Sequence, residues 1–149
     1  MAVVWRSDVQ VEAGALAGDQ FAYIRRLGVA VRSAIEARKR LTDELARYEK
    51  IGAAALPSLG RVASVAGHNF DEARWVVSAH QAPRGAEVCS QALNQWLTFH
   101  VDACDALARA AGTGEARHVR AALDLLRGAQ PFALQFNRVR ERLAGQLAA

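Results

Sequence analysis

The chain has 149 residues, one domain's worth, and apolar residues make up 52% of it, 32 of them alanine. Charged residues are 23% and the net charge is +4. These values exclude a disordered tail, a collagen-like chain and a disulfide scaffold, and leave a folded, alanine-rich domain able to bury a core.

Apolar residues recur at helical spacing almost throughout, and Pro57, Pro83 and Pro131 fall at plausible boundaries. Ala2-Val3-Val4-Trp5 is the only strand-like piece, and Ser7-Asp8-Val9-Gln10 reads as a capping box opening the first helix. From Leu16 an apolar stripe runs through Ile24, Leu27, Val31, Leu41, Leu45 and Tyr48 with alternating three- and four-residue steps, as in a heptad seam. Arg38 stands in the apolar register of that stripe. A continuous helix over 8–51 would be ~65 Å long, whereas a compact globule of this size is roughly 40 Å across. The helix is therefore expected either to break, at Gly28 with Gly14 and Gly18 as earlier points, or to pack its free length on another subunit.

Gly52 and Pro57 end this element. A short helical turn is expected over 58–66, then a loop at Gly67-His68, then a helix over 70–80 capped by Asn69 with Asp71 and Glu72 in its first turn. Pro83 and Gly85 open a long helix over 84–111 with the stripe Cys89, Leu93, Trp96, His100, Cys104 and Leu107. Gly112-Thr113-Gly114 reads as a stop and restart, 115–128 as a helix ended by Gly128, and Pro131 as the start of a last helix with Phe132, Phe136, Val139 and Leu143 inward. The sum is an all-α bundle of four to six helices, one domain over 1–149, with a long N-terminal helix that can kink. Its core is expected around Trp75, Trp96, Phe99, Phe132 and Phe136.

Apolar runs stay far below the ~18–20 residues that cross a bilayer, so no membrane insertion is expected. The first residues lack the basic start and apolar core of a secretory leader, which points to the cytoplasm. Cys89 and Cys104 fit that compartment as free thiols. Fifteen residues apart on one helix, they would lie ~22 Å from each other, too far for a disulfide.

Few local constellations carry chemistry. His100 and Cys104, one turn apart on a helix face, have the spacing of two metal ligands, with His68, His80, His118 or a carboxylate left to complete the set. HExxH, CxxC, CxxCH and paired Glu-x-x-His patterns are all missing, so no cofactor is expected. GxSxG and phosphate-cradling glycine loops are missing too. Arg61–His68 and Arg74–His80 resemble the Arg-x(4–6)-His motif of helical RNases of the HEPN type at those two residues alone. The polar residue that follows the arginine there is replaced by Val62 and Trp75. In that motif, Arg74 and His80 would act at an RNA 2′-hydroxyl.

Arginine outnumbers lysine 17 to 2, a bias that reads as a GC-rich genome rather than arginine chemistry. The charge is uneven: residues 25–51 carry net +4 and 113–149 net +3, while 52–112 carry net −1. Arg25, Arg26, Arg32, Arg38, Lys39 and Arg40 on the first element, with Arg138 and Arg142 on the last, are the candidate contacts for nucleic acid or an acidic partner. The expected function is a non-catalytic helical interaction or assembly module, self-associating through the seam of Ile24, Leu27, Val31, Leu41, Leu45 and Tyr48. A nucleic-acid-binding helical protein is the first alternative. A small helical enzyme, or a metal- or ligand-binding bundle around His80 and His100, is the second.

Overall fold

The computed structural model describes residues 18–148, and every regular element among them is helical. The capping box at Ser7–Gln10, the strand-like Ala2–Trp5, Gly14 and Leu16 lie outside the described residues. Helix α1 is seen over 18–30 and is followed by α2, Arg32–Ile51; a 3-10 turn, Gly52–Ala55, leads into α3, Leu56–Ala79. Helices α4, Glu87–Thr113, and α5, Ala116–Ala148, complete an all-α bundle. Each of α2–α3, α3–α4 and α4–α5 packs as a neighbouring pair, so the chain runs up and down in sequence order.

α1 and α2 form one rod. The helix does not end at Gly28, as the sequence suggests, but passes through it and distorts three residues later at Val31, whose φ is −98° and ψ 7°. The ladder survives the distortion: the Val31 N–H donates to Leu27 O and the Ile35 N–H to Val31 O, both at 3.0 Å. Val31 is itself buried, so tertiary packing holds the helix through a glycine that local propensity would disfavour. The rod's described part, 18–51, is matched by α5 with 33 residues, and both are ~50 Å long. The first ten residues of the expected 8–51 helix lie outside the described residues.

Two expected breaks are also absent. Residues 58–79 are a single helix, with Gly67 and His68 in its middle. Gly67 faces α4, where an added Cβ would come within 3.0 Å of Cys104 Cβ, and a Cβ on Gly60, two turns earlier, would collide with that of Ala111. These glycines let the backbones of α3 and α4 approach, and their role is packing rather than turning. Likewise 116–148 is one helix with Pro131 inside it. Pro131 removes a backbone donor, but Pro131 and Arg127, whose carbonyl would receive it, are both exposed. Gly128 lies against Phe99, and Phe99 stacks on Phe132 with ring centroids 5.7 Å apart. Aromatic packing on both sides of Pro131 holds the helix together.

Helix ends follow their local chemistry more closely. Pro57 occupies the first turn of α3, where no N–H is required. Gly114 adopts φ 73° and closes α4 with its N–H on Ala110 O at 2.8 Å. The Gln20 side-chain amide donates to Arg84 O at 2.6 Å, tying the rod to the α3–α4 loop. The core includes Tyr23, Leu41, Leu59, Phe70, Leu97 and Leu107. Of the expected core aromatics, Trp96 is buried and Phe99, Phe132 and Phe136 are half-buried, but Trp75 is 76% exposed. Phe70, expected only as the start of a helix, takes the central place that Trp75 leaves.

The contrast between packed and open glycines is testable. Gly60→Ala is expected to lower unfolding free energy in urea by about 1–3 kcal/mol, because the overpacking at Ala111 outweighs the gain in helix propensity. Gly28→Ala, with nothing within 4 Å of the new Cβ, is expected to raise it by up to about 1 kcal/mol. Equal effects at the two positions would contradict the close α3–α4 approach.

Candidate functional site

Three of the four lateral seams of the bundle are formed by helices that pack directly, while α2 and α5, the first and last members, do not close on each other. Between them lies a cleft whose floor is α4. Trp96 and His100, one turn apart on α4, form that floor with ring centroids 4.0 Å apart. Phe70 supports both rings from below, 6.0 Å from Trp96 in an edge-on arrangement and 4.8 Å from His100.

Arg38 lies on both halves of the cleft and divides it. The lower chamber is about 240 Å³, with Val31 and Ile35 on the α2 side and Phe132, Phe136 and Arg140 on the α5 side. The upper chamber is about 290 Å³, with Leu41 and Leu45 facing Leu123 and Leu126, and Glu49 at its far end. Arg38 shares the face of Ala34 and Leu41, both buried, yet is itself exposed. A side chain in the core register of α2 reaches water only because the seam is open. Neither Arg38 nor Arg140 has an ion-pair partner among the described residues, and no carboxylate lines the lower chamber.

His100 is 1% exposed. Its Nδ1–H donates to Trp96 O at 2.7 Å, which leaves Nε2 as the acceptor of a neutral imidazole, with no partner among the described residues. Burial is the main cause that lowers its pKa to about 4; the Arg38 guanidinium lowers it further, and the bond to Trp96 partly opposes both. Cys104 is pushed up to about 12, chiefly by burial and also by Asp105, so it stays a thiol. Burial also raises Cys89, with Arg142 opposing. His100 and Cys104 are thus both buried on α4, but no three His, Cys, Asp or Glu side chains converge among the described residues. A protonated Cys104 packed against Gly67 is a core thiol.

The other sequence candidates are scattered. Ile24, Leu27, Val31 and Leu41 are buried in the chain's own core, and Leu45 and Tyr48 pack half-buried against it. Arg25, Arg26, Arg32, Lys39 and Arg40 are exposed on the outer face of the rod, and Arg138 and Arg142 are exposed on α5. His80 is exposed at the end of α3, with Nδ1 on Val76 O at 2.8 Å, while Arg74 is paired with Asp71. Arg74 and His80 are each engaged locally, on separate partners. What sequence reading passed over is Ile35 and the cleft-lining role of Arg140, Trp96, Phe132 and Phe136. No local signal marks them, because α2 and α5 lie about a hundred residues apart in the chain. The one available hint was the misplaced charge at Arg38. No family model, curated protein or solved structure matches the chain.

The pH dependence of folding follows from His100. Its folded pKa lies below its unfolded value of 6.5, so the unfolded chain binds the extra proton between pH 6.5 and about 4. Stability is then expected to be full above pH 6.5 and to fall on acidification, by about 3 kcal/mol in all, through that window. His100→Asn is expected to be less stable at pH 7 but to show a shallower fall, measured by urea unfolding at a series of pH values. An unchanged fall would place the effect elsewhere.

Proposed function

We propose that the chain is a non-catalytic interaction module that receives an apolar element of its partner in the open seam between α2 and α5. The observation that carries this reading is a two-chambered apolar cleft, floored by Trp96 and His100, that the described helices leave uncovered. Ile35, 51% exposed on its rim, extends the apolar surface outward. Apolar surface left open in this way gains free energy when a guest covers it. His100, with its pKa lowered to about 4, is a weak base, and Cys104 keeps its proton and packs against Gly67 away from the cleft, which favours binding over reaction.

A neutral fluorescent guest tests the reading. In a Trp5→Phe/Trp75→Phe background Trp96 is the sole tryptophan, and N-phenylnaphthylamine should bind with one-to-one stoichiometry and take energy from it. Ile35→Asp and Ala133→Asp, each placing a charge in the lower chamber, should weaken binding about tenfold or more. A parent protein that takes up no probe, or charged variants that bind as well as the parent, would reject the seam as a receptor.

A specific observation also favours nucleic-acid binding as a second reading. Over residues 25–40 the outward face of the rod presents Arg25, Arg26, Arg32, Lys39 and Arg40, all exposed, against Glu36 alone. Phosphate contacts from such a stripe make affinity steeply salt-dependent. Arg25→Gln/Arg32→Gln/Lys39→Gln is expected to lower affinity for a single-stranded oligonucleotide and to flatten its salt dependence by roughly one unit of slope per lost contact. A salt slope identical to that of the parent would remove this reading.

A further inference from the structure

Resting on the seam as a receptor, we infer that its upper chamber holds a small neutral aliphatic alcohol, whose hydroxyl donates to Nε2 of His100 while its chain lies among the leucines. The imidazole argues first. His100 is 1% exposed and forms part of the chamber lining. Its Nδ1–H is committed to Trp96 O at 2.7 Å, so Nε2 carries a lone pair and no proton. Trp96 and Phe70 lie against the ring, with centroids at 4.0 and 4.8 Å, and these ring contacts bring Nε2 no donor. Tyr23 Oη and Asn94 Oδ1 are also unpartnered and are sealed from approach. Nε2 lacks a partner among the described residues but is not sealed in this way, so the small accessible part of His100 includes it.

The walls argue next. Leu41, Leu45 and Ala46 on α2 face Leu123 and Leu126 on α5. The chamber runs from Arg38 to Glu49, ~16 Å along the rod, which is longer than any one protein side chain. It nevertheless holds only about 290 Å³. That is room for roughly ten non-hydrogen atoms, taking the ~30 Å³ that a water occupies in the liquid. So long and narrow a slot takes a single chain and not a helix about 10 Å across. The Thr42 hydroxyl does not compete for Nε2, because it donates to Arg38 O at 2.9 Å. Arg38 and Glu49 stand at the two ends, and Arg38 is the one whose charge acts on His100. The hydroxyl therefore lies at the Arg38 end and the chain runs toward Glu49.

Nε2 selects a neutral donor. Water in the chamber can donate to it but leaves the leucines wet, whereas an alcohol reproduces that hydrogen bond and covers the leucines as well. An ether or an alkane covers them but strands Nε2 in an apolar enclosure. A carboxylate has no proton to donate and sets its charge against the lone pair of Nε2. An ammonium can donate, but it buries a charge beside a ring whose surroundings already disfavour one, within the field of the Arg38 guanidinium. A site built on one buried acceptor discriminates by what a wrong guest leaves unpaired.

The test compares octanol, its isomer heptyl methyl ether, octanoate and octylammonium as guests of the full chain, each followed by calorimetry. Octanol is expected to bind at least about tenfold more tightly than the ether, and both ions more weakly than octanol. Hydrogen bonding moves an unprotonated imidazole nitrogen upfield. In protein carrying isotope-labelled histidine, His100 Nε2 is therefore expected further upfield in the octanol complex than in the ether complex, with His68, His80 and His118 alike in both. His100→Phe, checked for an unchanged far-ultraviolet spectrum, should bring octanol down to the affinity of the ether; the resonance comparison decides on the parent protein without any variant. The inference falls if the ether matches octanol, or if Nε2 resonates alike in the two complexes. It also falls if octanoate or octylammonium binds more tightly than octanol, which would assign the chamber to Arg38 or to Glu49. Uptake of N-phenylnaphthylamine without any preference for octanol overturns the alcohol alone; loss of both overturns the receptor as well.

Discussion

The bundle stays open along one seam because a charge occupies a position where closure would require an apolar side chain. Arg38 follows Ala34 by one turn and precedes Leu41 by another, on the face of α2 that is otherwise buried. Closing α2 onto α5 would remove its guanidinium from water, and no carboxylate lines the lower chamber to neutralise it. Burying an unpaired ion costs several kcal/mol, which opposes closure at this position. The division of the cleft into two chambers follows from that one residue.

The opposite side of the bundle shows the reverse solution. Between α3 and α4, Gly60 meets Ala111 and Gly67 meets Cys104, so the two backbones approach at two levels seven residues apart. Small residues on one pair of helices bring α4 close to α3, and large rings on its other side, Trp96 and His100, form the floor beneath the open seam. α4 is consequently the axis of the fold, carrying Cys89, Leu93, Leu97, Ala103 and Leu107 in the core besides those rings. The same burial sets its chemistry. His100 is neutral and Cys104 keeps its proton because each sits where a charge would be poorly solvated.

Much of the architecture was legible in the chain. Helical periodicity gave an all-α bundle, Gly52 and Gly114 marked real helix ends, and the stripe from Ile24 to Leu41 marked a buried face. Periodicity reports a face without saying which surface covers it; here the residues from Ile24 to Leu41 lie in the chain's own core. Gly67, Gly128 and Pro131 misled for a related reason. As isolated residues they favour turns, but each is held in a helix by contacts with Cys104, Phe99 or the Phe99–Phe132 stack. Trp75 misled in the opposite sense, since an aromatic residue on a helix is usually buried and this one faces water.

By itself, the order of residues determined that the chain forms helices, which faces of them are apolar, and that one arginine stands out of place among apolar neighbours. These are consequences of spacing within about one or two turns, which a linear reading captures. Only the tertiary structure decided that α2 and α5 leave a gap, that Arg38 and Arg140 line it from opposite walls, and that Trp96 and His100 form its floor. The reason is distance along the chain. Side chains about a hundred positions apart share no local pattern, and which helix faces meet is settled by the packing of the whole core rather than by any single segment of it.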